Sequence, residues 1–151
     1  MGRPDGRGPA QGREGSLKSI DHIAVAVASL EEASRFYRDV LGLKDCGAQT
    51  VPEQNVRVGF FSAGETRIEL VEPLGPDSPV AGFLEGRGGK SGIHHICFEV
   101  EDLDSEMARL RAKGALFVDP GARLGGDGSR IAFIHPKSAG GVLIELCQHA
   151  K

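Results

Sequence analysis

Apolar and polar positions along the chain form one pattern, stated twice. The run IDHIAVAVASLEEA from Ile20 reappears as IHHICFEVEDLDSE from Ile93, at an offset of 95 − 22 = 73. That offset pairs Ile20 with Ile93, His22 with His95, Ile23 with Ile96, Val27 with Val100 and Leu30 with Leu103. Each strand-like run passes into a helical one. In the first half Leu30, Ala33, Phe36, Tyr37 and Val40 recur at helical spacing, Ser29 and Glu32 form a capping box, and Gly42 stands where the helix should end. In the second, Leu103, Met107 and Leu110 make a thinner stripe behind Asp102, a candidate N-cap, and Gly114 closes the helix. Both halves finish alike, TRIELVE from Thr66 and VLIELCQ from Val142, at an offset of 145 − 69 = 76. NVRVGFF and RIAFI supply further strand-like runs in between. The predicted unit is β-α-β-β-β, once over about 18–75 and again over about 91–149. The Gly- and Pro-rich segment 73–92 is the expected connector, with a short helix around Val80–Leu84.

Alternation along each strand decides which residues share a face. Ile23, Val25 and Val27 should pack on the first helix, leaving His22, Ala24 and Ala26 opposite. Ile96, Phe98 and Val100 should pack on the second, leaving His95, Cys97 and Glu99 opposite. In the closing strands Ile68 and Leu70 point inward and Glu69 does not; Ile144 and Leu146 point inward and Glu145 does not. Each repeat thus sets one His and one Glu on the face away from its helix. Singly, such residues are usually structural or solvent-facing. A duplicated pair on short apolar strands has no simple packing explanation, and pairing of the repeats about a pseudo-twofold axis would bring all four together. Two imidazoles and two carboxylates suit Co²⁺, Mn²⁺, Ni²⁺, Zn²⁺ or Fe²⁺, and leave two positions of an octahedron for substrate oxygens. His94, the counterpart of Asp21, is expected on the helix side, in a structural or supporting role. Cys97 and Cys147 are expected to line the cavity as small residues.

Composition narrows the classes. The 151 residues fit one domain, and a net charge of −3 without a basic block gives no footprint for nucleic acid or an anionic membrane. No apolar run approaches the roughly 20 residues of a membrane-spanning helix. Residues 1–16 are expected to be a disordered tail ahead of a single domain over 17–151. The tail has no apolar signal core, and Asp5, Glu14, Pro4 and Pro9 argue against an amphipathic targeting helix. Three cysteines without CxxC spacing point to a reduced, cytoplasmic setting.

The duplicated unit, with His on its first strand and Glu on its last, resembles the vicinal-oxygen-chelate superfamily, which includes glyoxalase I and the extradiol dioxygenases. Within it, PLGPDSPVAGFL from Pro73, GIHHICFEV from Gly92 and HPKSAGGVLIEL from His135 look like the methylmalonyl-CoA epimerases. The resemblance covers about residues 18–149 and implies an α+β, glyoxalase-like fold: a curved mixed sheet around a metal site. It implies His22, Glu69, His95 and Glu145 as ligands of one divalent metal, Co²⁺ favoured, and a homodimer. It implies epimerisation of methylmalonyl-CoA through a metal-stabilised enolate, one base removing a proton and an acid returning one to the other face. Glu145 is the first candidate for one role. Some relatives carry Glu where this chain has Val58, so Glu53, just before that strand, is the candidate for the other. Lys90, Arg130 and Lys137, in Gly-rich loops, are candidates for the CoA phosphates, against the reading that they are ordinary surface charge. Two other classes remain open: a glyoxalase I-like or dioxygenase enzyme of the same superfamily, and a non-catalytic module that binds a metal or small ligand.

Overall fold

The computed structural model describes residues 17–125 and 128–150; the expected tail lies outside them. Eight strands form one curled mixed sheet in the order β2-β3-β4-β1-β5-β8-β7-β6. The first repeat comprises β1 (Leu17–Ala26), a helical segment α1 (Leu30–Ser34), β2 (Lys44–Val51), β3 (Val56–Ala63) and β4 (Thr66–Pro73). After the connector helix α2 (Pro79–Gly86) come β5 (Gly92–Val100), α3 (Leu103–Ala112), β6 (Arg123–Leu124), β7 (Arg130–Ile134) and β8 (Leu143–Gln148). β1 pairs parallel with β4 and β5 parallel with β8, while β1 and β5 run antiparallel at the centre. That central pair is the seam of the duplication.

The alternation expected from the sequence divides the core by face. Val27, Leu30, Phe61 and Leu70 cluster under α1, and Val100, Leu103, Met107 and Leu146 under α3. On the other face Ala24, Ala26, Val58 and Val71 pack with Val80 and Leu84 of α2. Helix starts follow the local chemistry. The Ser29 side chain accepts from the Glu32 amide, that of Ser78 from Val80 ahead of a proline, and that of Asp102 from Ser105. Gly114, at φ +99, closes α3 in a conformation a β-carbon would strain. None of the described helices is long and apolar enough to cross a membrane.

Two details depart from the sequence expectation. The first helix is α only to Ser34 and widens to a π-turn over Arg35–Val40. The wider turn rotates the stripe, so Phe36 is half exposed and Val40 mostly exposed instead of covering the core. The second concerns His94. In β5, His95 pairs with Ala24 but Ile93 pairs with Val25, so His94 is an extra residue in the ladder. This bulge turns its ring away from α3, to meet Phe83 of α2 edge-on at 5.1 Å.

Packing between layers is tight where β3 passes under α1. A β-carbon on Gly59 would stand 2.9 Å from Cδ1 of Leu30, which is only 4% exposed. Gly59→Ala is expected to destabilise the fold by about 1–3 kcal/mol, the usual cost of overpacking, measured by denaturant titration.

Candidate metal centre

Four strands bring the duplicated His and Glu residues to the face opposite α1 and α3. His22 and His95 lie on the central strands. Glu69 stands beside Ala24 in the β1–β4 ladder, and Glu145 beside Cys97 in the β5–β8 ladder. Nε2 of His22 is 3.3 Å from Nε2 of His95 and 3.2 Å from Oε1 of Glu145; His95 Nε2 is 2.9 Å from the same oxygen. Three donors at mutually cis positions of an octahedron, with bonds of about 2.1 Å, lie about 3.0 Å apart. The triangle therefore fits a divalent metal on one side and leaves the remaining positions to other oxygens. His22 and Glu145 are buried and His95 is half-buried.

Glu69 stands one step back. Its Oε2 lies 3.5 Å from Nδ1 of His22, the nitrogen facing away from the triangle, and accepts a 2.8 Å bond from Arg67. The two repeats differ here for a simple reason. Arg67 sits beside His22 in the β1–β4 ladder, where the β5–β8 ladder puts Leu143 beside His95. The guanidinium draws Glu69 aside, whereas Leu143 leaves Glu145 free to reach both imidazoles.

Burial is the largest single influence on these groups, and hydrogen bonds and charge pairing together outweigh it at His22 and Glu145 but not at Glu69. Burial raises the Glu69 carboxyl, against the pull of His22 and Arg67. Glu145 is also pushed up by burial, but its bonds to His22 and His95 prevail and hold it near about 2. Burial disfavours charge on His22, yet Asp21, Glu145 and Glu69 raise it to about 10. A metal would take the place of that proton. The consequence for the metal-free protein follows from the sign. The folded imidazole holds its proton to about pH 10, against 6.5 unfolded, so this stabilisation is complete below about 6.5. It is lost as pH climbs toward 10, and the metal-free melting temperature is expected to fall across that window, as read by calorimetry. Burial and the neighbouring His95 push His94 down to about 4, leaving it neutral.

Among the described residues Asp21 also gathers with His22 and Cys97, and with Cys147 and His149. The Cys97 thiol is driven up by its Cys147 neighbour, by burial and by the Glu145 charge, so without a metal it stays protonated. Both buried cysteines pack with Ile131 and Phe133 at the floor of this face.

The remaining candidates are not among the residues that form the triangle. Glu53 is exposed in the 3₁₀ turn Pro52–Gln54. Val58 is buried against Ala24 and Ala26, so that position offers no proton acceptor. Lys90 is exposed in the loop after α2. Arg130 makes a paired contact with Asp104, at 2.8 and 3.1 Å. Lys137 borders a cleft of about 510 Å³ with Leu110, Lys113 and Ile134, and that cleft includes none of the four ligand candidates. The sequence reading missed Arg67, Asp21 and His149 as site residues. Only the Asp21/His94 correspondence between repeats offered a signal for any of them.

Comparison with known proteins agrees with this architecture. The sequence profile of the Glyoxalase/Bleomycin resistance protein/Dioxygenase superfamily matches residues 21–133. The chain is 43% identical over 132 residues to the mitochondrial methylmalonyl-CoA epimerase of Mus musculus, covering 87% of this chain and 74% of that protein. The crystal structure of methylmalonyl-CoA epimerase from Mycobacterium tuberculosis superposes with a TM-score of 0.85 at 38% identity, over 94% of this chain and 95% of that one. A methylmalonyl-CoA epimerase in complex with methylmalonyl-CoA and NH4+ superposes with a TM-score of 0.81 at 37% identity, over 89% and 96%. The chain belongs to the glyoxalase/bleomycin resistance protein/dioxygenase superfamily and, within it, to the methylmalonyl-CoA epimerases.

Proposed function

We propose that this chain interconverts (R)- and (S)-methylmalonyl-CoA, with a divalent metal held by His22, His95 and Glu145 and with Glu69 as the fourth ligand. The observation that carries the proposal is the triangle of donors 2.9–3.3 Å apart, in a chain 43% identical to a named epimerase. When bound, the metal supplies Lewis-acid polarisation of the substrate's thioester and carboxylate oxygens.

The rest of the chemistry belongs to side chains. The acidic proton lies on the carbon between the thioester and the carboxylate, and inversion requires its loss from one face and return to the other. Both imidazole contacts of Glu145 are made through Oε1, which leaves Oε2 to hold a proton on one face. Glu53 is the partner assigned to the opposite face, and it must approach from the exposed turn before β3. The buried, apolar floor of Cys97, Ile131, Cys147 and Phe133 limits water around the reacting carbon. Lys90, Arg130 and Lys137 are assigned to the CoA phosphates. Cobalt(II) is the ion this reading prefers on the family resemblance, and the same nitrogen and oxygen donors also suit Mn²⁺, Ni²⁺ or Zn²⁺. The protein acts as a homodimer in this reading, supported by the apolar Phe36, Val40 and Leu41 that the π-turn leaves exposed. A cytoplasmic location accords with three free thiols.

The direct test is epimerisation in heavy water. The metal-loaded protein, given (R)-methylmalonyl-CoA, is expected to yield the (S) form with deuterium at the carbon between the two carbonyls. Product without deuterium would exclude deprotonation as the route.

A further inference from the structure

Each of the two site histidines is held from behind by the residue immediately before it. Nδ1 of His22 donates to Oδ2 of Asp21 at 2.7 Å, and Nδ1 of His95 lies 2.9 Å from Nδ1 of His94. Such contacts are unexpected on a strand, because consecutive side chains point to opposite faces. The ladder explains both. Ile20 pairs with Phe98 and His22 with Cys97, so Asp21 is an extra residue in β1, as His94 is in β5. The two bulges occupy equivalent positions in the two repeats and lie on strands paired with each other. Each swings the extra residue round toward the outer nitrogen of the next imidazole.

Hydrogen-bond accounting then sets the tautomers. A carboxylate only accepts, so Nδ1 of His22 donates to Asp21; with a metal in the triangle, the lone pair of Nε2 faces the metal in place of the proton shared with Glu145. A contact between two Nδ1 atoms needs one donor and one acceptor. His95 is the donor when the lone pair of its Nε2 is turned to a metal in the triangle. Asp21 is itself fixed, because its other oxygen takes a 2.6 Å bond from Nε2 of His149 just beyond β8.

We propose that Asp21 and His94 are the positioning residues of the centre, setting the tautomer and aim of His22 and His95 through paired bulges, with His149 anchoring Asp21. The proposal rests on the metal-centre reading above, and its test separates the two. Affinity for Co²⁺ is measured by competition with a chelator, on the full chain and on Asp21→Ala, Asp21→Asn, His94→Ala, His94→Gln and His149→Ala. Long-range ¹H–¹⁵N spectra of the proteins loaded with diamagnetic Zn²⁺ report which nitrogen of each imidazole carries the hydrogen and which binds metal. Asp21→Ala and His94→Ala are expected to bind Co²⁺ about 10- to 100-fold more weakly, with mixed tautomers at His22 and His95 respectively. His94→Gln and Asp21→Asn, which keep an oxygen acceptor, should recover much of the loss; His149→Ala should weaken binding less than Asp21→Ala. If the unsubstituted chain binds no Co²⁺, the metal-centre reading fails. If it binds and the alanine variants match it within about twofold with unchanged tautomers, the positioning proposal fails alone. Should an alanine variant not fold, Asp21→Asn and His94→Gln carry the decision: Nε2-protonated His22 and His95 in their spectra would overturn the assignment.

Discussion

Glu145→Gln is expected to epimerise methylmalonyl-CoA at least about 10²-fold more slowly than the unsubstituted chain, the usual scale for a positioned acid or base. The substitution preserves the volume of a side chain that is only 6% exposed, so the fold should survive. Its amide oxygen can still face His22 and His95, and some metal should remain. What disappears is an oxygen able to take up a proton. Turnover and metal content must therefore be measured on one preparation, since a rate loss that merely tracks metal loss would leave the role of Glu145 as ligand only. Full activity would remove the residue from the chemistry. Glu53→Gln is the companion experiment. A near-normal rate there would shift the second proton transfer to another group or to water, which an exposed turn makes easy to supply.

The metal content of histidine variants carries the second large effect. The purified protein should hold about one divalent ion per chain, and His22→Ala or His95→Ala should lose most of it, as read by elemental analysis after dialysis. Each removes one corner of a triangle whose edges are 2.9–3.3 Å, and water replaces a neutral nitrogen donor poorly. His94→Ala should still carry metal, at reduced affinity, because its contact is with Nδ1 of His95 and not with the triangle. The reverse pattern, with metal lost from the His94 variant and kept by the His95 variant, would overturn the strand-face assignment.

Much of the architecture was legible along the chain because it depends on short-range periodicity. The duplication, the two faces of β1, β4, β5 and β8, the caps at Ser29 and Asp102 and the connector helix all follow from spacing within a few residues. His22, His95, Glu69 and Glu145 were singled out by the same means: a polar residue repeated at equivalent positions on apolar strands needs a reason beyond packing. The closing of Gly114 over α3 was equally local.

What tertiary structure decided depends on where the strands register against one another. Alternation put His94 on the side of α3, but one extra residue in β5 against β1 turned it toward Phe83. No spacing within a single strand reveals a bulge, because a bulge is a property of the pair. The same holds for Asp21 and His149, separated by 128 positions and joined at 2.6 Å only when β8 lies two strands from β1. The two Glu residues are equivalent in sequence, yet they differ in space because Arg67 and Leu143 are not. The cation draws Glu69 back, while Glu145 meets both imidazoles. The repeat determined which residues face the site, and the ladder register and neighbouring charges decided which of them touch.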